Sequence, residues 1–345
     1  MQLSGCFFFL FSQTNSTFMK KRILYFIATA IIASAAWVAC QEKPDDDDDN
    51  NDPKIQITTT ASAYFDVKFE IAGKGKITIK WGDGTAIETH TLPDTATFFK
   101  HNYKKSGSYT IAITGDITYL NCSTCKVTYL DVSQHPGLTK LDCSNNSLAS
   151  LNVSKNTILL HLDCNGNDLT SLDVSNNAML ANLFCAGNRL TNLDVTNCEA
   201  LIRLDCSGNL LTNLAISKHR LLTELNCSRN NITNLDLSGS SLLANLNCSM
   251  NGLTDLDMSR NSMLINLDCS LNAGMSSLDM SKNRRLERLT CRRNGFSHTA
   301  LDALFGTLHD NAFVEDNSVD VAGNPGTNGC NPEIAKYKGW KVILY

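Results

Sequence analysis

Cysteine is the residue in this chain most able to do chemistry. Cys122-Ser123-Thr124-Cys125 has the spacing of a redox dithiol or of half a zinc site. A zinc site needs a second such pair or a histidine pair at ligand spacing, and neither is in the sequence. The wider spacing points elsewhere. Cys122, Cys143, Cys164, Cys185, Cys206, Cys227, Cys248 and Cys269 recur every 21 residues, and Cys291 follows after 22 because one residue is inserted near Ala273-Gly274. A strict period means a repeated structural unit, in which these thiols sit at one place and behave as small buried hydrophobes. Neighbouring thiols one strand apart have poor geometry for a disulfide, so they are expected to be free and slow to react.

Other chemistries are weakly represented. The chain has no HExxH, GxSxG, Walker or dinucleotide signature, and its seven histidines are scattered. No catalytic residue, cofactor or metal ligand is therefore assigned, and an enzyme is not expected. With 30 Lys plus Arg against 34 Asp plus Glu, the formal charge of −4 gives no basic excess for nucleic acid. Asp131, Asp173, Asp194, Asp236, Asp257 and Asp279 recur with the period. Aligned carboxylates can take calcium, but Asn152 and Ala215 interrupt the stripe, and a solvated strand face is the plainer reading.

The unit that positions these residues is itself double. Leu138–Ile158 reads Leu-Thr-Lys-Leu-Asp-Cys-Ser-Asn-Asn-Ser and then Leu-Ala-Ser-Leu-Asn-Val-Ser-Lys-Asn-Thr-Ile, two versions of Leu-x-x-Leu-x-(Cys or Val)-Ser-x-Asn. The alternating apolar positions face inward, as in a strand, and stacked turns bury one continuous core. Each large side chain fully buried there contributes roughly 1.5–3 kcal/mol, most of it offset by chain entropy. Asn146, Asn167, Asn188, Asn209, Asn230, Asn251, Asn272 and Asn294 follow the first strand, and Asn156, Asn177, Asn261 and Asn283 the second. Buried amides at such bends satisfy backbone groups that a sharp turn leaves unpaired. Cys125 and Cys198 replace asparagine in these rows, and His135, His219 and Ser240 depart from it.

On these residues, 117–296 resemble the leucine-rich repeat family, in its short bacterial class with a repeat nested inside a repeat (the IRREKO type). The resemblance implies a mainly β solenoid with little helix, and a ligand bound on the face lined by the outward residues of the regular strand. By register these are Tyr119, Lys140, His161, Asn182, Arg203, Glu224, Asn245, Asn266 and Arg288, beside Asn121, Asp142, Asp163, Phe184, Asp205, Asn226, Asn247, Asp268 and Thr290. Phe184 stands out as an aromatic flanked by His161 and Arg203, the composition of a binding anchor, although single exposed apolar groups are common. A basic cluster, Arg284, Arg285, Arg288, Arg292 and Arg293, either receives an acidic ligand or keeps the end of the array soluble. The candidate binding residues are therefore Lys140, His161, Asn182, Phe184, Arg203, Asp205, Glu224, Arg288, Arg292 and Arg293.

The flanks complete the organisation. Met19-Lys20-Lys21-Arg22, the 17 uncharged residues Ile23–Ala39 and Val38-Ala39-Cys40 have the layout of a signal segment, with residues 1–18 an upstream extension of the reading frame. Val38-Ala39-Cys40 resembles a bacterial lipoprotein cleavage box, although Trp37 stands where leucine is usual; it implies acylation of Cys40. An uncleaved membrane helix is the alternative. Residues 40–54, with the acidic run Asp45–Asp49, cannot form a core and read as a solvated tether. An acidic run in this place resembles a tag for the outer face of the outer membrane; a periplasm-facing protein is the alternative.

Residues 55–116 alternate in strand style. Trp81-Gly82-Asp83-Gly84-Thr85, His101-Asn102-Tyr103 and Gly107-Ser108-Tyr109-Thr110-Ile111 resemble a PKD domain, an immunoglobulin-like β-sandwich that implies a spacer or contact surface. Asp83 reads as a turn aspartate in preference to a metal ligand. After Phe296 the period stops. Residues 297–345 read as a cap, with a helix from an N-cap at Ser297, a strand at Ser318–Val321, a short helix at Pro332–Lys338, a core Trp340 and a final strand at Lys341–Tyr345. The function expected is a surface-anchored binding or adhesion lipoprotein with a protein or glycan ligand. The rival is an envelope-assembly protein without a ligand on the repeat face.

Overall fold

The computed structural model describes residues 54–310 and 317–345. The signal segment, Cys40 and the acidic run Asp45–Asp49 lie outside the described residues.

The chain opens with long strands: β1 (Lys54–Ala61), β2 (Phe65–Lys80), β3 (Glu88–Thr91), β4 (Thr97–Tyr103), β5 (Gly107–Asn121) and β6 (Val127–Asp131). They pair antiparallel. β2 takes β3, β4 and β5 as neighbours, and β1 lies between β5 and β6. Their alternating residues build a core on Ile57, Phe69, Ile79, Trp81 and Tyr103.

Eight strands of three residues follow: β7 (Lys140–Asp142), β8 (His161–Asp163), β9 (Asn182–Phe184), β10 (Arg203–Asp205), β11 (Glu224–Asn226), β12 (Asn245–Asn247), β13 (Asn266–Asp268) and β14 (Arg288–Thr290). Each pairs parallel and in register with the next. The fold is a β-solenoid with turns of about 21 residues, as the period requires. Strand β5 is the joint. Its first part is antiparallel to β1, and its last residues, Tyr119–Asn121, pair parallel with β7. It runs through residues 116 and 117, where composition and repeat divide the sequence.

One apolar core runs from Ile55 to Trp340. In the turn from Leu138, the residues Leu138, Leu141, Cys143, Leu148 and Val153 are fully buried and Leu151 nearly so. The twelve described cysteines are free, and the nine of the ladder are fully buried.

The second half of the repeat differs from the sequence expectation. It carries the same apolar spacing, yet beyond β6 the second halves form no strand among the described residues. An isolated bridge from Asp131 to Asn152 is what they show. Its bend closes on itself: Asn177 N–H donates to Val174 O at 2.9 Å and Leu180 N–H to Asn177 O at 3.0 Å. After the first strand the N–H groups reach the next turn instead, Cys185 N–H to Asp205 O and Gly187 N–H to Ser207 O, each at 2.8 Å. The bond from Ser175 N–H to Asp173 Oδ1 at 2.9 Å has its counterpart in the first half. The acidic stripe is a row of these bonds. Asp131, Asp173, Asp194, Asp236, Asp257 and Asp279 each accept the N–H two residues on, and Asn152 does so equally well.

Three residues beyond each strand from β7 to β15, two positions past the ladder cysteine or its equivalent Val321, the chain enters the left-handed region. Asn145, Gly166, Gly187, Gly208, Arg229, Met250, Leu271, Arg293 and Gly323 have φ between 53° and 72°. Glycine takes this conformation freely. Other residues pay about 1–2 kcal/mol, asparagine less.

The repeat does not stop at Phe296. Helix α1 (His298–Thr307) is capped by Ser297 Oγ, which accepts from Ala300 N–H at 3.2 Å. Then β15 (Ser318–Asp320) rejoins the parallel sheet beside β14, and after α2 (Glu333–Lys336) the strand β16 (Lys341–Ile343) adds to β15. Val321 takes the cysteine place and Asn324 the asparagine place, donating to Cys291 O and Val321 O. The motif Val-Asp-Val-Ala-Gly-Asn is present in the sequence, but the inserted helix moves it out of period. Trp340 is buried, its Nε1–H donating to His309 O at 3.0 Å.

Candidate functional site

The outward residues of the strands form two straight rows. The first runs Tyr119, Lys140, His161, Asn182, Arg203, Glu224, Asn245, Asn266 and Arg288, and continues to Ser318 and Lys341. The second runs from Asn121 through Phe184 to Thr290, then Asp320 and Ile343. Strand spacing of about 4.8 Å makes each row a continuous surface.

Toward the N-terminal end the first row is aromatic and basic. Lys140 Nζ lies 4.7 Å from the centre of the Tyr119 ring, and the His161 and Phe184 rings are 5.5 Å apart and tilted. Burial, and then the Lys140 charge beside it, hold the His161 imidazole below its usual value, so it is neutral. Burial raises the Asp163 carboxyl, with Asp142 and Asp205 adding to the effect. Farther along, Arg203 Nε pairs with Glu224 Oε2 at 3.2 Å, Asn266 Nδ2 donates to Asn245 Oδ1 at 2.6 Å, and Asn226 Nδ2 donates to Asp205 Oδ2 at 3.2 Å.

Over these strands lies a shallow depression of about 450 Å³, running from Phe184 and Arg203 to Arg288 and Thr290. It brings together Phe184, Arg203, Asp205, Glu224 and Arg288 from the candidate residues. Lys140, His161 and Asn182 lie on the same face outside its lining, and Arg292 and Arg293 lie on the turn after Cys291. Arg292 is 3.8 Å from Asp320. Of the outward residues missing from the sequence-derived candidates, most are amides: Asn226, Asn245, Asn247 and Asn266 line the middle of the depression, with Asp268 and Thr290 toward one end. Their register was legible. An uncharged amide has no signal that sets it apart from the structural asparagines nearby.

Most of the second row has a structural duty. Asp142, Asp205, Asn226, Asn247 and Asp268 each present Oδ1 to the N–H and hydroxyl of the serine two residues on. Phe184 cannot do this. The waiting donor, Ala186 N–H, is taken by Asn165 Oδ1 from the preceding turn, at the place where other turns carry serine. The aromatic therefore stands where the fold favours a carboxylate or amide, with a compensating asparagine one turn away.

The buried thiols are not a reactive site. Cys122 and Cys125 are both buried, and Cys125 Sγ donates to Lys68 O at 2.8 Å. Burial pushes the Cys125 and Cys198 thiols up to about 11 and Cys227 to about 12, far from the thiolate that redox or metal chemistry needs. Among the described residues no group of three or more His, Cys, Asp or Glu is placed to hold a metal ion, and no helix is long and apolar enough to cross a membrane.

In the antiparallel part, the motif pieces meet. Asp83 accepts from Thr85 N–H at 3.1 Å and from Thr85 Oγ1, and its other oxygen is 2.7 Å from His101 Nε2. His101 stacks on Trp81 at 4.7 Å, and Tyr103 donates its hydroxyl to Trp81 O at 2.7 Å. The Thr85 and His101 bonds hold the Asp83 carboxyl down at about 2 against the opposing effect of burial. It is a turn aspartate with one added partner, the histidine.

These features define a class: a β-solenoid of leucine-lined turns with an internal column of thiols. No family model and no curated protein matches the chain. Among solved structures it is similar to the functional domain of InlJ from Listeria monocytogenes, described as including a cysteine ladder. The identity is 30%, the alignment covers 64% of this chain and 52% of that one, and the TM-score is 0.48. It is similar too to internalin C2 of Listeria monocytogenes, with 22% identity over 55% of this chain and 77% of that one, TM-score 0.42. A leucine-rich repeat protein of Leptospira interrogans gives 17%, 62%, 74% and 0.39 for the same quantities. The chain spans about half the length of the InlJ domain.

Proposed function

We infer that this protein is a surface-anchored binding or adhesion lipoprotein whose strand face receives a protein or glycan partner. The observation that carries the reading is the depression between Phe184 and Arg288. It places an aromatic, two arginines and a floor of amides in register, and the aromatic sits where the fold favours an oxygen acceptor. Aromatic and arginine side chains are the usual anchors of recognition surfaces. The amides offer both donors and acceptors to a peptide backbone or to sugar hydroxyls. Neither catalysis nor a cofactor is part of this reading.

The antiparallel part, 55–116, serves in this view as a PKD-like spacer. Acylated Cys40 would hold the protein at the outer membrane through the acidic tether, with the repeats facing outward. Labelling of cells with a fatty-acid probe tests the anchor: label lost in Cys40→Ala supports it, and equal label removes it. Protease treatment of intact cells tests the orientation, and protection would place the repeats in the periplasm. For the face itself, a protein and glycan array screen of wild type against Phe184→Ala/Arg203→Ala decides. Lost binding at unchanged circular dichroism is expected; unchanged binding rejects the face.

A further inference from the structure

The left-handed row beside the strand face is not uniform. Glycine holds it at Gly187 and Gly208, and then four consecutive turns carry Arg229, Met250, Leu271 and Arg293. Space does not select the glycines, since a Cβ added at Gly187 or Gly208 would meet nothing closer than 3.5 Å. Glycine is the relaxed choice for the backbone conformation alone. Met250 and Leu271 strain the backbone there, and with 43% and 39% of each residue still exposed the buried part does no more than offset that strain.

The row is continuous. Met250 N–H donates to Ser270 O at 2.9 Å and Leu271 N–H to Arg292 O at 3.0 Å, so successive side chains sit one strand spacing apart. Gly252 and Ala273, two residues on, are exposed and too small to cover the apolar pair. At the two ends, the Arg229 and Arg293 side chains have no ion pair among the described residues.

We propose that this ridge is a second recognition surface, which takes a short extended segment of a partner protein with one apolar residue against Met250 and Leu271 and a carboxylate for each flanking arginine. The charge pattern sets the partner's chemistry. Arg229 and Arg293 are three turns apart, about 14 Å at strand spacing. An extended chain rises about 3.3 Å per residue, so carboxylates four residues apart span it, with an apolar residue between them: Glu-x-Leu-x-Glu. The surface goes beyond the depression on the strand face, whose lining does not include these residues.

The test is a fluorescence-anisotropy titration of the purified protein with peptides built on Glu-x-Leu-x-Glu, against Lys-x-Leu-x-Lys and Glu-x-Ser-x-Glu controls. At least tenfold tighter binding of the first is expected. Met250→Gly/Leu271→Gly should lose at least tenfold, with Tm little changed because the strain relieved and the burial lost are of similar size. Arg229→Ala or Arg293→Ala should each lose several-fold. Phe184→Ala should leave the affinity for this peptide as it is in wild type, which separates this surface from the strand face. Three binding results would overturn the proposal: no binding by folded wild type, equal binding of either control, or a glycine variant that binds as wild type does. A lowered Tm in that variant would count against it too, since the side chains would then serve the fold.

Discussion

The two bends of each turn carry the same residue in the sequence and use it differently. At the first bend, Asn209 Nδ2 donates to Cys185 O, Cys206 O and Ser207 O, while its Oδ1 accepts from Leu190 N–H of the preceding turn at 3.0 Å. Both ends of the amide are needed, and it ties neighbouring turns together. At the second bend, Asn177 Nδ2 donates to Val153 O and Asn156 O, but among the described residues its Oδ1 has no hydrogen-bond partner, nor have those of Asn156, Asn261 and Asn283. There the fold needs a donor and makes no use of the acceptor.

This difference explains the exceptions in the sequence. His135, Cys198, His219 and Ser240 all fall at the second bend, and each offers a donor. His135 Nε2 meets Gly115 O at 3.1 Å, Cys198 Sγ meets Val174 O at 3.5 Å, His219 Nε2 meets Val195 O at 3.0 Å, and Ser240 Oγ meets His219 O at 3.2 Å. The one exception at the first bend, Cys125, belongs to the first turn of the array. It donates to Lys68 O. A repeated side chain is a repeated requirement only where both of its functions are used.

The comparison can be broken by matched substitutions. Asn209→Ser should cost about 3 kcal/mol in urea denaturation, since it leaves buried carbonyls and an N–H unsatisfied at roughly 1–3 kcal/mol each. Asn177→Ser should cost about 1 kcal/mol, because a hydroxyl donates as Ser240 does. Equal losses would abolish the distinction. Cysteine offers a second pair. Cys206→Ser buries a hydroxyl in the apolar column and should cost roughly 1–3 kcal/mol, whereas Cys198→Ser should be near neutral, about 0.5 kcal/mol or less.

A smaller effect follows from histidine at a donor-only place. Burial lowers the His135 imidazole below its ordinary 6.5, so the unfolded chain binds the proton more readily than the folded one. His135 therefore contributes full stability above pH 6.5, and that contribution falls as pH drops below 6.5 toward the folded value. His135→Asn should flatten this part of the stability–pH curve, and an unchanged slope would assign it to other groups. The smallest difference is kinetic. Under native conditions Cys330, which is partly exposed, should be alkylated before Cys198, and Cys198 before Cys206, which is equally buried but whose thiol is pushed higher. Rapid native labelling of Cys206 would contradict the buried column.

Much of the architecture is legible in the residues. The 21-residue spacing of Cys122 to Cys269 sets the period, and the alternation in Leu-x-x-Leu-x-Cys sets which side chains face in. The strand-face register, Lys140 beside His161 and Asn182 beside Arg203, follows from the same count. The missing strands of the second half were not legible, because apolar spacing reports which side is buried and is silent on where an N–H finds its acceptor. The resumed ladder at Val321 and Asn324 was hidden by the helix inserted before it.

The candidate site divides in the same way. The order of its side chains was written in the chain, and so was the contrast of Phe184 with its row. That Asn165 supplies the acceptor Phe184 lacks, and that Met250 and Leu271 hold a left-handed backbone, needed the coordinates. Periodicity fixes burial and register because these depend on side-chain type at regular intervals. Hydrogen-bond partners and backbone φ depend on contacts between turns, and those exist only once the turns are stacked.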